Sequence, residues 1–168
     1  MGTLALFAVV AACSANAAAS AEVNEDKLDP FKLWSAFPDA IAVTSSTHSR
    51  LFECAEVTRL ALDTDSKTAD YDFYFASTGR RMTFHLAEGD SPGSVIFTVG
   101  SDPNPSTAAF YYSDFKTCAV ISMKFIGNEC ILLVKKGLNE SLPESCIDNY
   151  EEDCGVEIPK DSKLPCID

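Results

Sequence analysis

The sequence predicts an all-β domain, secreted and stapled by disulfides, built as an antiparallel sandwich or barrel. Three observations lead there. Eight short strand-like runs are separated by clusters of turn residues, an uncharged apolar segment stands at the N-terminus, and an even set of cysteines follows it. The chain has 168 residues, enough for one domain with a sizeable core, and it shows no internal repeat or low-complexity stretch.

Residues 1–21 carry no charge and hold an apolar run from Leu4 to Cys13, followed by alanine and serine. Small-x-small patterns at Ala15-Asn16-Ala17 and Ala19-Ser20-Ala21 suit signal cleavage between Ala17 and Ala21. The run is too short and too rich in alanine for a membrane span. Residues 1–21 are therefore expected to be a signal peptide, and residues 22–168 the binding domain. Of seven cysteines, Cys13 leaves with this leader. Cys54, Cys118, Cys130, Cys146, Cys154 and Cys166 remain, an even set that in a secreted chain reads as disulfides. No metal is expected, because zinc favours close cysteine pairs or histidine partners. The chain has no C-x-x-C, and its histidines are His48 and His85 alone.

In chain order, Asp29-Pro30-Phe31-Lys32-Leu33-Trp34 reads as a short helical turn, with Asp29 as N-cap and Pro30 in the first position. Trp34, the only tryptophan, is expected to pack at the closed end of the fold. The strand-like runs are 40–44, 51–60, 69–76, 81–87, 93–99, 107–113, 117–125 and 129–135. Breakers such as Ser77-Thr78-Gly79, Ser101-Asp102-Pro103-Asn104-Pro105 and Gly127-Asn128 divide them. Alternation puts Tyr71, Phe73 and Phe75 on one face and Asp70, Asp72 and Tyr74 on the other. His85 alternates with Phe84 and Leu86, so it reads as a surface residue. Ser141-Leu142-Pro143-Glu144 is a capping-box pattern that opens a helix. Leu142, Cys146, Tyr150 and Cys154 then share one face, and Gly155 stops it. Asn139-Glu140-Ser141 is a glycosylation sequon, with Asn139 as the acceptor.

Net charge is −12, all of it outside the leader. That excludes nucleic acid and anionic membrane as partners, since both need a basic surface. An enzyme is not expected either. Neither H-E-x-x-H nor a phosphate loop occurs, and two histidines leave little for acid–base work. No cofactor is expected.

From Tyr111 onward the chain resembles the tick salivary lipocalins of the histamine-binding type. The resemblance rests on Tyr112-Ser113-Asp114, Cys118-Ala119-Val120, Cys130-Ile131-Leu132-Leu133-Val134, Pro143-x-x-Cys146, Tyr150-x-x-x-Cys154-Gly155 and the spacing to Cys166. Phe52-Glu53-Cys54 and the turn at Asp29 fit more loosely. The resemblance implies an eight-stranded antiparallel lipocalin-like barrel with a short N-terminal helix and a C-terminal helix packed outside. It also implies the pairs Cys54–Cys166, Cys118–Cys146 and Cys130–Cys154, one of many connectivities that six cysteines allow. Its function would be to sequester a small host inflammatory mediator, a biogenic amine such as histamine or serotonin, and so evade host defence.

If the paired cysteines face outward, alternation sends Glu53, Ala55, Val57 and Arg59 inward on one strand. It sends Ala119, Ile121 and Met123 inward on another, and Ile131 and Leu133 on the last. Phe73, Phe75, Phe84, Phe97, Phe110 and Tyr112 complete the expected ligand lining, although a barrel of this size can also fill itself with such side chains. The family's E-L-W motif would place an acid and a tryptophan where this chain has Ile131 and Leu133. The ligand class then turns on Glu53, joined by Asp114, as counter-ion to an amine, or on Arg59 as partner to the carboxylate of a fatty acid or leukotriene. A third expectation keeps the barrel closed and has its surface inhibit a host protein.

Overall fold

A computed structural model describes residues 29–138, 142–158 and 166. The expected leader and the sequon at Asn139 lie outside the described residues. Eight strands form a closed antiparallel barrel in simple sequence order: β1 Asp39–Ser45, β2 Ala55–Asp63, β3 Thr68–Phe75, β4 Arg80–Glu88, β5 Ser94–Val99, β6 Asp102–Ser113, β7 Cys118–Lys124 and β8 Asn128–Lys135. β8 returns to β1, with Ile41 opposite Val134, so no sheet edge is left open. Helix α1, Pro30–Ala36, precedes the barrel, and helix α2, Glu144–Cys154, follows it. No described helix is long and apolar enough to cross a membrane.

Period-two patterning is why these segments are strands. In β3 each of Ala69, Tyr71, Phe73 and Phe75 is buried, while Asp70, Asp72 and Tyr74 between them are partly exposed. The outer row is polar and tied across strands, with Arg81 bound to Asp72 and His85 Nδ1 2.7 Å from Asp70 Oδ1. The start of α1 and the end of α2 have local reasons. Asp29 accepts the Lys32 N–H at 3.1 Å, Pro30 opens α1, and Gly155 stops α2 at φ 68°, a left-handed conformation that glycine adopts without strain. Helix α2 starts later than the capping-box pattern places it. Pro143 occupies the N-cap of α2 with no side-chain cap bond, and Ser141 lies outside the described residues.

Two apolar compartments share one barrel wall. The interior cluster includes Trp34, Phe37, Phe52, Tyr71, Phe73, Phe75, Phe84, Phe97, Phe110, Met123, Ile131 and Leu133. The outer cluster lies between the wall and α2 and holds Val43, Cys118, Val120, Cys130, Leu132, Val134, Cys146 and Tyr150. β8 serves both, and residues 129–134 are accordingly buried without interruption. Disulfides Cys118–Cys146 and Cys130–Cys154 pin α2 to this wall with Cα separations of 6.1 and 5.6 Å, and Cys54–Cys166 ties the tail to the loop before β2. The three pairs are those the resemblance implies.

Strand bounds differ most from expectation at the starts of β2 and β6. Residues 51–54 are a turn rather than strand: Phe52 N–H donates to Ser49 O, Ala55 N–H donates to Phe52 O, and Cys54 takes a positive φ of 56°. Conversely β6 starts at Asp102 and runs through Pro103 and Pro105. The barrel tolerates both prolines because this stretch is exposed and its register with β5 shifts there.

Candidate ligand-binding site

The barrel interior has two unlike ends. The lower end receives the N-termini of β1 and β7 and is covered by α1. Here Arg59 Nη1 donates to the carbonyls of Trp34 at 2.6 Å and Ser35 at 3.4 Å, and Tyr71 Oη donates to Trp34 O at 3.1 Å and Phe37 O at 2.8 Å. These four bonds satisfy carbonyls that the C-terminal turn of α1 leaves unpaired, and so lock the helix across the opening. Burial pushes the Tyr71 phenol well above its ordinary pKa, although the Arg59 charge opposes the shift. At the upper end, the loops β1–β2 and β7–β8 meet above a layer of rings. Phe52 meets Phe75 edge-on at 5.9 Å, and Phe125 lies 6.4 Å from Phe75 and 5.1 Å from Phe84 between centroids.

Between the two ends lies a cavity of about 50 Å³. Leu33, Trp34 and Phe37 form its floor; Phe73, Phe84, Phe97 and Phe110 supply rings from the wall; Ile121, Met123 and Leu133 face them. Two of its lining residues carry polar atoms of note: Tyr71, whose hydroxyl is already committed to α1, and Trp34, whose indole Nε1 is buried without a hydrogen-bond partner among the described residues.

Of the expected lining residues, Phe73, Phe84, Phe97, Phe110, Ile121 and Leu133 come together around this cavity. Phe75 and Ile131 are buried in the same core but do not border the cavity. Three expectations are corrected. Glu53 is exposed, because it stands in the turn before β2, where alternation does not operate, and Phe52 is buried in its place. Arg59 does not stand over a pocket; its guanidinium caps α1. Tyr112 faces the outer cluster under α2. The ladder between β6 and β7 shifts register between Phe110 and Tyr112, and this extra residue reverses the facing of everything after it.

Asp114 does not join Glu53 either. It sits in the β6–β7 loop at the lower end, where its carboxylate accepts backbone N–H bonds from Lys116 at 2.9 Å, Thr117 at 2.8 Å and Cys118 at 3.1 Å, and the Thr117 hydroxyl besides. Partial burial raises its pKa, but the Thr117 hydroxyl and these N–H groups outweigh burial and hold the carboxyl below the ordinary range. Asp114 also lies beside Cys118 and Cys146. Both sulfurs are bound in one disulfide, so no thiolate is there to hold a metal.

Gly89-Asp90-Ser91-Pro92-Gly93 spells G-x-S-x-G, the pattern of a hydrolase nucleophile turn. That chemistry needs a strand-to-helix turn with a histidine in reach. Here the segment joins β4 to β5, and Ser91 bonds only to Ser94. It is a hairpin loop.

One interior group escaped the sequence reading. Glu129 begins the inward row of β8 and is 5 % exposed. The signal was present: if Cys130 faces outward, the alternation that turns Ile131 and Leu133 inward turns Glu129 inward too.

The profile of the family described as tick histamine binding protein matches residues 40–162, from β1 through α2 and beyond. The chain belongs to this family. No curated protein matches it. The tick histamine binding family is of the lipocalin-like binding type, which accords with a closed barrel, three disulfides and an interior cavity. Where the resemblance implies an acid and a tryptophan on the last strand, Ile131 and Leu133 stand, both buried and apolar.

Proposed function

We propose that this protein is a secreted salivary lipocalin that captures a small host inflammatory mediator inside its barrel, and so blunts host defence at a feeding site. The observation that carries the reading is the interior itself: a ring of phenylalanines around one cavity, with a buried indole N–H left without a partner among the described residues. Native cores seldom leave such a donor unpaired, because its desolvation costs about 1–3 kcal/mol, whereas a ligand acceptor offsets that cost. Family membership supports a small ligand of the biogenic amine class. The aromatic lining suits an aromatic amine such as histamine or serotonin. It also suits the apolar body of a leukotriene or fatty acid, but with Arg59 engaged at α1 it offers the carboxylate of such a lipid no cationic partner.

The cavity is small. An engineered apolar void of roughly 150 Å³ holds benzene, and this one measures about 50 Å³. Ligand binding therefore requires the layer of Phe52, Phe75 and Phe125 to move outward. The same number favours a second reading, in which the barrel stays closed and its surface binds a host protein. Calorimetric titration with histamine, serotonin and a leukotriene separates the two. Stoichiometric binding of any one, accompanied by a change in Trp34 emission, supports capture. No heat with any of them, together with retention of a host plasma protein on the immobilised domain, replaces capture by the surface reading.

A further inference from the structure

Every ionised group inside a barrel has to be matched, because an unpaired buried charge is among the most costly features a fold can carry. At the lower end the charge is matched: the Arg59 guanidinium binds the carbonyls of α1. At the upper end it is not. Glu129 Oε1 accepts the Thr47 hydroxyl at 2.7 Å, while Oε2 is buried with no partner among the described residues. None of the described ion pairs includes Glu129. Its cross-strand partner is Met123, which borders the cavity, so the two side chains stand side by side on the inner face, with Cβ atoms within roughly 5.5 Å. The interior cluster at this end contains Phe52, Phe75, Phe125 and Ile131. A carboxyl group without a cation, paired across the sheet with a residue that lines the cavity and at the same end of the barrel as these rings, has the chemistry of an ammonium site.

We propose that Glu129 is the counter-ion for the ligand's cationic group, so that an amine binds with its charge at the loop end of the barrel and its ring directed towards Trp34. The inference rests on the reading that the interior holds the ligand. It assigns the recognition of charge to a residue outside the E-L-W positions, which are Ile131 and Leu133 here. Glu129 then does two things. Its unpartnered oxygen selects a cation over a neutral molecule of the same shape, and its bond to Thr47 couples occupancy to the β1–β2 loop that covers the opening.

The test compares serotonin with 5-hydroxytryptophol, in which a hydroxyl replaces the ammonium, by calorimetry on the oxidised wild-type protein. The variants are Glu129→Gln, Glu129→Asp and Glu53→Gln. Wild type should prefer serotonin by about ten- to a hundred-fold, the range expected for a charge-assisted bond in a desolvated site. Glu129→Gln should erase the preference, Glu129→Asp should keep most of it, and Glu53→Gln should leave it intact, since Glu53 is exposed. Without ligand, Glu129→Gln should melt at or above the wild-type temperature, because it removes an unmatched buried charge but keeps the Thr47 bond. A purely structural Glu129 would instead lower the melting temperature and leave the preference unchanged. Equal preference in wild type and Glu129→Gln overturns the proposal and leaves barrel capture standing. So does binding of a fatty acid with no response to either indole. Silence with every ligand overturns both.

Discussion

Trp34 offers the sharpest test of how the barrel is closed. It is 1 % exposed, meets Phe31 edge-on at 6.5 Å between centroids, and forms the cavity floor. A tryptophan buries on the order of 200 Å² of side chain, so at ~25 cal/mol per Å² its removal forfeits roughly 5 kcal/mol before any relaxation. Partial collapse of the site brings Trp34→Ala to about 3–5 kcal/mol of lost stability. Trp34→Phe is the informative comparison. The smaller ring leaves about 40 Å³ empty, a cost of about 1 kcal/mol at ~24 cal/mol per Å³. It also removes the unpartnered Nε1–H, whose burial costs about 1–3 kcal/mol. The two effects oppose each other, so Trp34→Phe should lie within about 1–2 kcal/mol of wild type, on either side, and well above Trp34→Ala. Urea unfolding followed by far-ultraviolet circular dichroism, with disulfides intact, measures both. If Trp34→Phe loses as much as Trp34→Ala, the indole nitrogen is bonded and the argument from an unmatched donor fails. If Trp34→Ala loses less than about 1 kcal/mol, α1 does not close the barrel.

Two further outcomes follow from the same geometry. Cys54 and Cys166 are 112 residues apart, so the paired Cys54→Ser and Cys166→Ser variant should lose up to about 4–5 kcal/mol in the loop-entropy model, while β8 and β1 still close the barrel. An unchanged denaturation midpoint would show that this bridge constrains little, and peptide mapping of the wild type without reduction checks the pairing itself. Asp114 has a pKa below that of the unfolded chain, so its stabilisation is fully present above pH ~4 and is lost as pH falls through the folded value. Asp114→Asn should therefore be less stable than wild type at neutral pH, by a margin that shrinks as pH falls through the folded value, and a deficit that stays undiminished in acid would show that the charge is not what holds the β6–β7 loop.

The sequence by itself determined the strand count, the antiparallel alternation, the helix caps at Asp29 and Gly155 and the ring-bearing face of β3. Each depends on residues close in the chain: a side-chain period of two, a cap three residues from its donor, a glycine where φ is positive. The disulfide pairs were legible only through resemblance, since spacing does not choose among connectivities. What failed was every inference that carried parity across an irregularity. Tyr112 was turned outward by the register shift after Phe110, and Glu53 was left in solvent because its strand begins two residues later, at Ala55. Arg59 was claimed by the carbonyls of a helix more than twenty residues earlier, a contact no local pattern contains. Glu129 marks the boundary between the two kinds of knowledge. Alternation from Cys130 already aims it inward, but that one of its oxygens is left unmatched depends on which side chains the closed barrel brings to that end, and only tertiary structure decides this.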